Sequence, residues 1–420
     1  MSELFTVIPP GQAFATLAHG CSQVERTEIV PLAEALGRVN AADIFAAETL
    51  PAFARSTMDG YAVRSADTHG ASEQSPAYLE LTGDVPTGIV PTVTVVPRTA
   101  GRIHTGAMLP QGADAVVMVE DTNQHPSTGS GQVEIEVLAA AAHGENVLTI
   151  GEDVARGALA IPAGRRLRPA DLGGLAALGI TAVEVRARPR IAILSTGDEV
   201  VPAGAAPGPA QVRDVNATTV GATVERAGGI AVHCGIAPDE ENALLEAARA
   251  GLKGADALVL SAGSSVSVRD LTGRIVEALG RPGVLAHGIA IKPGKPTVIA
   301  LCDGKPVVGL PGNPASALVV AWRIVRPLVR LLGGEAVDDD ALGDGRELDA
   351  LLDLSVPSRP GREDYVPCTL ERDAGGALHA TPVFGASNLI FTLVRADALI
   401  AVPLDRSGLA AGERVRVIVQ

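Results

Sequence analysis

Two lysines three residues apart, each followed by proline, stand in Ala290-Ile291-Lys292-Pro293-Gly294-Lys295-Pro296. Proline fixes φ and carries no backbone N–H, so the segment suits neither a helix interior nor a central strand. It reads as a stiff loop that holds two ammonium groups in place. A second proline–glycine loop, Gly309-Leu310-Pro311-Gly312-Asn313-Pro314, follows and opens onto a helix. Together the two loops suggest a site for an oxyanion. The chain around them is acidic, with a net charge of −14, so an anionic ligand needs local cations or a metal to overcome the overall field. A phosphate-binding Walker loop is excluded: Gly288 lies one position too far upstream of Gly294-Lys295, and Pro296 replaces the required hydroxyl.

Acidic residues follow the predicted strands of the same region. Glu199 lies in Ser195-Thr196-Gly197-Asp198-Glu199, Asp239 in Ala237-Pro238-Asp239, and Asp270 closes the stretch Ser261–Asp270. Carboxylates in those places suit Mg²⁺ shared with a phosphate. Each also has a plainer reading, Asp239 as a helix N-cap and Asp198 with Glu199 as a solvated turn. Gly263, Ser264, Ser265 and Ser267 offer small residues, hydroxyls and N–H groups before a helix. That suits phosphate, and it equally describes an ordinary strand-to-helix turn. Asp59, in Ser56-Thr57-Met58-Asp59-Gly60, and Thr105, in His104-Thr105-Gly106, read locally as turn residues.

The elements that must position these residues show in the pattern. Residues 11–47 are Ala-rich with helical spacing. From 60 to about 140 short β-like runs dominate (77–81, 90–96, 115–119, 133–137), with a polar hairpin or surface loop at 122–131. Residues 144–187 turn helical again, with a helix at 169–179. Residues 188–332 alternate strands (190–194, 230–236, 257–260, 298–301, 307–310) with helices (216–227, 239–252, 270–279, 314–332), which predicts a doubly wound, mainly parallel α/β domain. A linker at 333–345 precedes short strands that close the chain as a small β-barrel or sandwich. The expected domains are therefore 1–50 with 144–187 as one discontinuous unit, 51–143 as a β-rich domain, 188–333 as the α/β domain, and 346–420 as a C-terminal β domain.

Composition narrows the function. An acidic chain with 2% aromatics lacks the basic face and stacking residues of a nucleic-acid binder. No apolar run is long enough for a membrane span or a signal peptide, which predicts a cytoplasmic protein. Cys21, Cys234, Cys302 and Cys368 are widely spaced and read as reduced thiols. The eight histidines lack metal-ligand spacing.

Taken together, Ser56–Val63, Thr105–Asp121, Gly151-Glu152-Asp153, Arg190–Glu199, Ile291–Pro296 and Leu310–Ala317 resemble the molybdopterin molybdenumtransferases, the MoeA and gephyrin E-domain family, over nearly the whole length. The resemblance implies four domains and an elongated homodimer. It implies insertion of molybdenum from molybdate into adenylyl-molybdopterin with release of AMP, using Mg²⁺. It assigns Asp59, Thr105, Glu199, Asp239 and Asp270 to catalysis, with Glu199, Asp239 and Asp270 on Mg²⁺. Lys292, Lys295, Arg362 and Ser387 fall on the molybdate side, and the Gly263–Ser267 loop receives the substrate phosphates. It places the site between the α/β domain of one subunit and the β-rich domain of the other. A molybdopterin adenylyltransferase and acceptor molybdoenzymes are the partners it implies. A non-catalytic molybdopterin-binding scaffold and a molybdopterin adenylyltransferase are the competing readings. The chain departs from the family in two places: Ala262 and Ser267 stand where glycines are common after the third strand, and Val366-Pro367-Cys368 replaces a more basic stretch common in the last domain.

Overall fold

The computed structural model describes residues 7–126, 133–261, 266–335 and 347–419, with backbone alone at 126 and 266–270. Two compact units emerge, one of 1–42, 163–172 and 182–420 and the other of 43–162 and 173–181.

The α/β core of the first unit begins with β1 (Arg190–Thr196), α1 (Asn216–Arg226), β2 (Ile230–Ala237), α2 (Glu241–Lys253), β3 (Ala257–Ser261) and α3 (Val266–Leu279). It continues through β4 (Pro282–His287), the two-residue β5 (Ile291–Lys292), β6 (Val298–Cys302), β7 (Lys305–Leu310) and α4 (Pro314–Val320) to α5 (Arg326–Leu332). Its sheet has the order β2-β1-β3-β7-β6-β4. The first four strands run parallel, while β6 is antiparallel to both β7 and β4. β1, β3, β6 and β7 are buried almost throughout, as expected for strands covered on both faces. One face packs against α1, α4, α5 and the N-terminal helix Pro10–Gly20, through Phe14, Ile193, Val259 and Ile324. The other packs against α2 and α3, through Leu244, Leu258 and Ile275. The chain runs from β1 outward to β2 and returns past β1 to β3, so the topological switch point, where such sheets bind ligands, lies between β1 and β3.

A closed barrel follows. Strands β8 (Glu347–Leu352), β9 (Glu363–Arg372), β10 (Leu378–Pro382), β11 (Ala398–Val402) and β12 (Arg414–Val419) pair in the ring β8-β12-β11-β9-β10 and back to β8. Closure leaves no open sheet edge within the ring. The second unit is built on a six-stranded sheet in the order 115–118, 60–63, 99–103, 77–85, 133–137, 122–126.

Several sequence expectations are corrected. In 11–47 the helix stops at Gly20, and Thr27–Pro31 is a strand paired with Ala182–Arg186. Residues 144–187 hold one helix, Pro169–Ala177, among short strands. Residues 90–96 form no strand. The third helix of the α/β region begins at Val266, before the predicted 270. β4 was hidden because Pro282 and Gly283 break the apolar pattern. The predicted 314–332 helix is interrupted at Ala321–Val325 by a π turn. Pro327 just beyond it cannot donate to the carbonyl of Arg323, and a π turn is one way a helix absorbs that loss.

All four cysteines are free. Burial raises every one of the thiol pKa values, that of Cys302 to about 11 and that of Cys368 to about 12. Iodoacetamide at about pH 8 should therefore label the half-buried Cys21 and Cys234 of the native protein and spare Cys302 and Cys368 until denaturant is added. Mass spectrometry of labelled peptides checks this, and equal labelling of all four would contradict it.

Candidate functional site

The lysine loop is built by two close approaches. Ile291 and Lys292 pair in parallel with Glu363 and Asp364 at the start of β9, and the Glu363 N–H donates to the Ala290 carbonyl at 2.8 Å. The sequence-predicted stiff loop is thus also a short strand that stitches the α/β core to the barrel. Gly294 follows with φ +122, and a Cβ there would lie 2.4 Å from Val320 Cγ2. Only glycine lets the loop turn and press against α4, which puts both lysines at the surface.

Those lysines line a cavity of about 750 Å³ together with Gly312, Asn313, Arg362 and Ser387. All four residues assigned to the molybdate side therefore share one cavity. Asp364 belongs to the same wall and was not found from sequence. Its side chain is 2% exposed and takes both Arg362 hydrogen bonds, at 2.8 and 3.2 Å, with Lys292 Nζ 3.8 Å away. Three cations and one carboxylate leave a surplus of two positive charges, which suits a dianion. The signal in the sequence was the Arg-x-Asp spacing, which sets Arg362, in the bend before β9, within ion-pair reach of Asp364. Ser387 Oγ accepts from Asn313 Nδ2 at 3.0 Å, so its own proton remains to donate. Behind the wall, Tyr365 donates to Glu363 at 2.6 Å, and Arg323 lies 3.6 Å from the same carboxylate. Burial, reinforced by Glu363, pushes the Tyr365 hydroxyl well above its ordinary pKa, so it remains a protonated prop.

The acids occupy the other end of the same edge. Asp239 follows β2 and accepts from the Thr196 hydroxyl at 2.6 Å, while its N–H donates to Asp198 at 3.2 Å. It is not the N-cap of α2. Glu240 caps that helix instead, accepting from the N–H groups of Asn242 and Ala243, which leaves the Asp239 carboxylate at the strand end. Glu199 folds back over Gly197, with Oε2 2.8 Å from where a Cβ would sit. Among the described residues no three acidic, histidine or cysteine side chains gather as a metal cluster. Glu199 and Asp239 still fit Mg²⁺, which takes one or two carboxylates and completes its shell with phosphate and water. β1 and β3 lie between β2 and β7, so the strand end before Asp239 stands three strand spacings from that of β7, about 14 Å, and the strand end before Glu199 two. Gly263, Ser264 and Ser265 lie outside the described residues, as do the side chains of Ser267 and Asp270 at the start of α3.

Asp59 and Thr105 meet within the second unit. The Thr105 N–H donates to Asp59 Oδ1 at 2.8 Å, and His104 Nδ1 lies 3.8 Å from the same oxygen. Gly60 is required beside Asp59, because a Cβ would lie 1.9 Å from the Val117 carbonyl oxygen. The two loops are further joined by the Gly106 N–H to the Ser56 carbonyl and the Ser56 N–H to the Ala107 carbonyl.

Fold and cavity define the class: a multidomain protein whose α/β core and C-terminal barrel share a cavity lined by two lysines and an arginine. Comparison with known proteins narrows it. Residues 8–179 match the MoeA N-terminal region (domain I and II), 192–331 a probable molybdopterin binding domain, and 349–419 the MoeA C-terminal region (domain IV). The molybdopterin molybdenumtransferase of Nostoc sp. is 34% identical over 93% of this chain and 88% of its own. That of Bacillus subtilis is 32% identical over 100% of this chain and 95% of its own. Two solved structures of the molybdopterin biosynthesis MoeA protein of Pyrococcus horikoshii each cover 99% of the chain. One has TM-score 0.76, 35% identity and 99% of its own chain covered; the other has 0.81, 29% and 100%. The chain belongs to the molybdopterin molybdenumtransferase family, the MoeA transferases of molybdenum cofactor biosynthesis.

Replacing Asp364 with asparagine keeps its shape and removes the negative charge facing the cavity. Asp364→Asn should tighten molybdate binding about three- to tenfold at low salt and make it more salt-dependent. Titration calorimetry at two ionic strengths checks this. Weaker binding in the variant would mean that aligning Arg362 outweighs the relief of repulsion.

Proposed function

We propose that this chain inserts molybdenum from molybdate into the dithiolene of adenylyl-molybdopterin and releases AMP. The observation that carries the reading is the single cavity that unites Lys292, Lys295, Arg362 and Ser387 at one end of the sheet edge; Glu199 and Asp239 follow β1 and β2, two and three strand spacings from β7, roughly 10 and 14 Å along the edge. That span suits a ligand with a nucleotide at one end and a metal-accepting group at the other. The cations draw molybdate into an otherwise acidic protein and hold it against the dithiolene. Two metal–sulfur bonds form as one oxo group leaves with the two dithiol protons as water. An oxygen nucleophile, from water or molybdate, opens the phosphoanhydride and AMP departs. Mg²⁺, held by Glu199, Asp239 and Asp270, would supply charge neutralisation at the phosphates. Gly263, Ser264, Ser265 and Ser267 are assigned to those phosphates. Fixed charges brought to bear on two anionic reactants account for the catalysis.

The protein works in this reading as a cytoplasmic homodimer, in which Asp59 and Thr105 of the partner subunit complete the site. A molybdopterin adenylyltransferase supplies the substrate, and molybdoenzymes accept the product. No helix among the described residues is long and apolar enough to cross a membrane.

With adenylyl-molybdopterin and Mg²⁺, the protein should release AMP only when molybdate is present. Lys292→Ala should raise the KM for molybdate at least about tenfold, the cost of one charge-assisted hydrogen bond. ATP consumption without molybdate would point instead to an adenylyltransferase, and AMP release that ignores molybdate would overturn the reading. Mixing Asp59→Asn and Lys292→Ala proteins should restore activity through hybrid dimers; a mixture as inactive as its parents would argue against the shared site.

A further inference from the structure

The buried polar groups at the switch point are not used by the reaction as described. β1 and β3 pair with Ser195 beside Ser261, at 2% and 5% exposure. Asn216, the first residue of α1, lies over them at 7% exposure. Its Nδ2 donates to Ser261 Oγ at 2.7 Å and to the Gly312 carbonyl at 2.9 Å. A backbone carbonyl can only accept, so the amide has one possible orientation, with nitrogen toward Gly312. Its Oδ1 is then left without a donor, and Ser195 Oγ is unpartnered as well. A side chain that uses both donors and leaves its acceptor buried and unpaired is placed there for what the donors join.

What they join are the two sides of the ligand edge. Ser261 ends β3 at the switch point. Gly312 belongs to the β7–α4 turn that lines the lysine cavity. The next residue, Asn313, donates to Ser387 Oγ at 3.0 Å, and the Ala315 N–H donates to the Ser387 carbonyl at 3.0 Å. Hydrogen bonds therefore run from the end of β3 through Asn216 to the cavity wall and on to the barrel. Asp214 Oδ1 receives the Ala217 N–H at 2.9 Å and fixes the start of α1, hence the place of Asn216. Asn216 itself lines neither the lysine cavity nor the cavity of about 550 Å³ beside Asp198 and Asp214.

We propose that Asn216 is a positioning residue that clamps the end of β3 to the β7–α4 turn, holding the nucleotide side of the edge and the oxyanion cavity in one register. This deepens the metal-transfer reading and rests on it. No single-donor side chain can replace the clamp, because the two acceptors lie in different elements. Losing it leaves each half-site formed and spoils their alignment, and misalignment costs rate more than it costs binding of either ligand alone.

The test compares Asn216→Asp, isosteric but without donors, and Asn216→Ser, with one donor, against the wild-type protein. In AMP release, kcat should fall about tenfold or more in Asn216→Asp and by less in Asn216→Ser. The dissociation constant for molybdate alone should stay within about twofold, because Asn216 makes no contact with that ligand. A kcat within about twofold of wild type, or a fall matched by equal loss of molybdate affinity and of melting temperature, would overturn the proposal. Hydrogen exchange reads the clamp without catalysis. Faster exchange at both 257–261 and 309–316 in Asn216→Asp, with the barrel strands unchanged, sustains it; no change at either segment, or at only one, overturns it. If the wild-type protein releases no AMP, the reaction reading falls, and the exchange result alone decides the role of Asn216.

Discussion

The arrangement depends on one short pairing, that of Ile291 and Lys292 with Glu363 and Asp364. It joins the lysine loop of the α/β core to the first strand of a closed barrel. It also brings a carboxylate that is 2% exposed beside an arginine and a lysine that belong to different domains. A carboxylate this deep is tolerated only with charged partners. The pairing and the ion contacts therefore support each other: the strand fixes the acid, the acid aligns Arg362, and the cavity wall forms from both. Together with the bonds from Asn313 and Ala315 to Ser387, that stitch holds the four cavity residues from core and barrel in one frame.

A second constraint is the direction of the sheet. Parallel strands send all their carboxyl ends to one edge, so residues far apart in the chain collect there. The order β2-β1-β3-β7 then spreads them out. The acids lie beyond β1 and β2, and the cavity that holds the cations is lined by the β7–α4 turn, with the switch point between them. The intervening ground is held by small buried polar residues, Ser195, Ser261 and Asn216, where large charged side chains would have been costly to bury.

Much of this was legible in the chain. Proline-braced lysines announced a short loop that sets two cations at the surface, and alternating strands and helices announced a doubly wound domain. Errors fell where local pattern is weakest. Alanine-rich 11–47 looked helical, but past Gly20 pairing with Ala182–Arg186 decides for strand, as tertiary context overrides weak propensity. Asp239 looked like a helix cap because Asp and Glu240 stand side by side; which one caps is set by where the strand ends. β4, opening with proline and glycine, carried no strand signal of its own. Asp364 and Asn216 looked ordinary, since an acid in a β-run and an asparagine before a helix have common local uses.

By itself, then, the sequence determined the chemistry available: which loops are rigid, which side chains are charged, and which segments bury both faces. These follow from backbone restriction and hydrophobic period, which act over a few residues. Tertiary structure alone decided the company those groups keep. Lys292 meets Asp364 and Asn216 meets Gly312 at separations of 72 and 96 positions respectively. Such contacts are fixed by sheet order and barrel closure, and no local spacing encodes them.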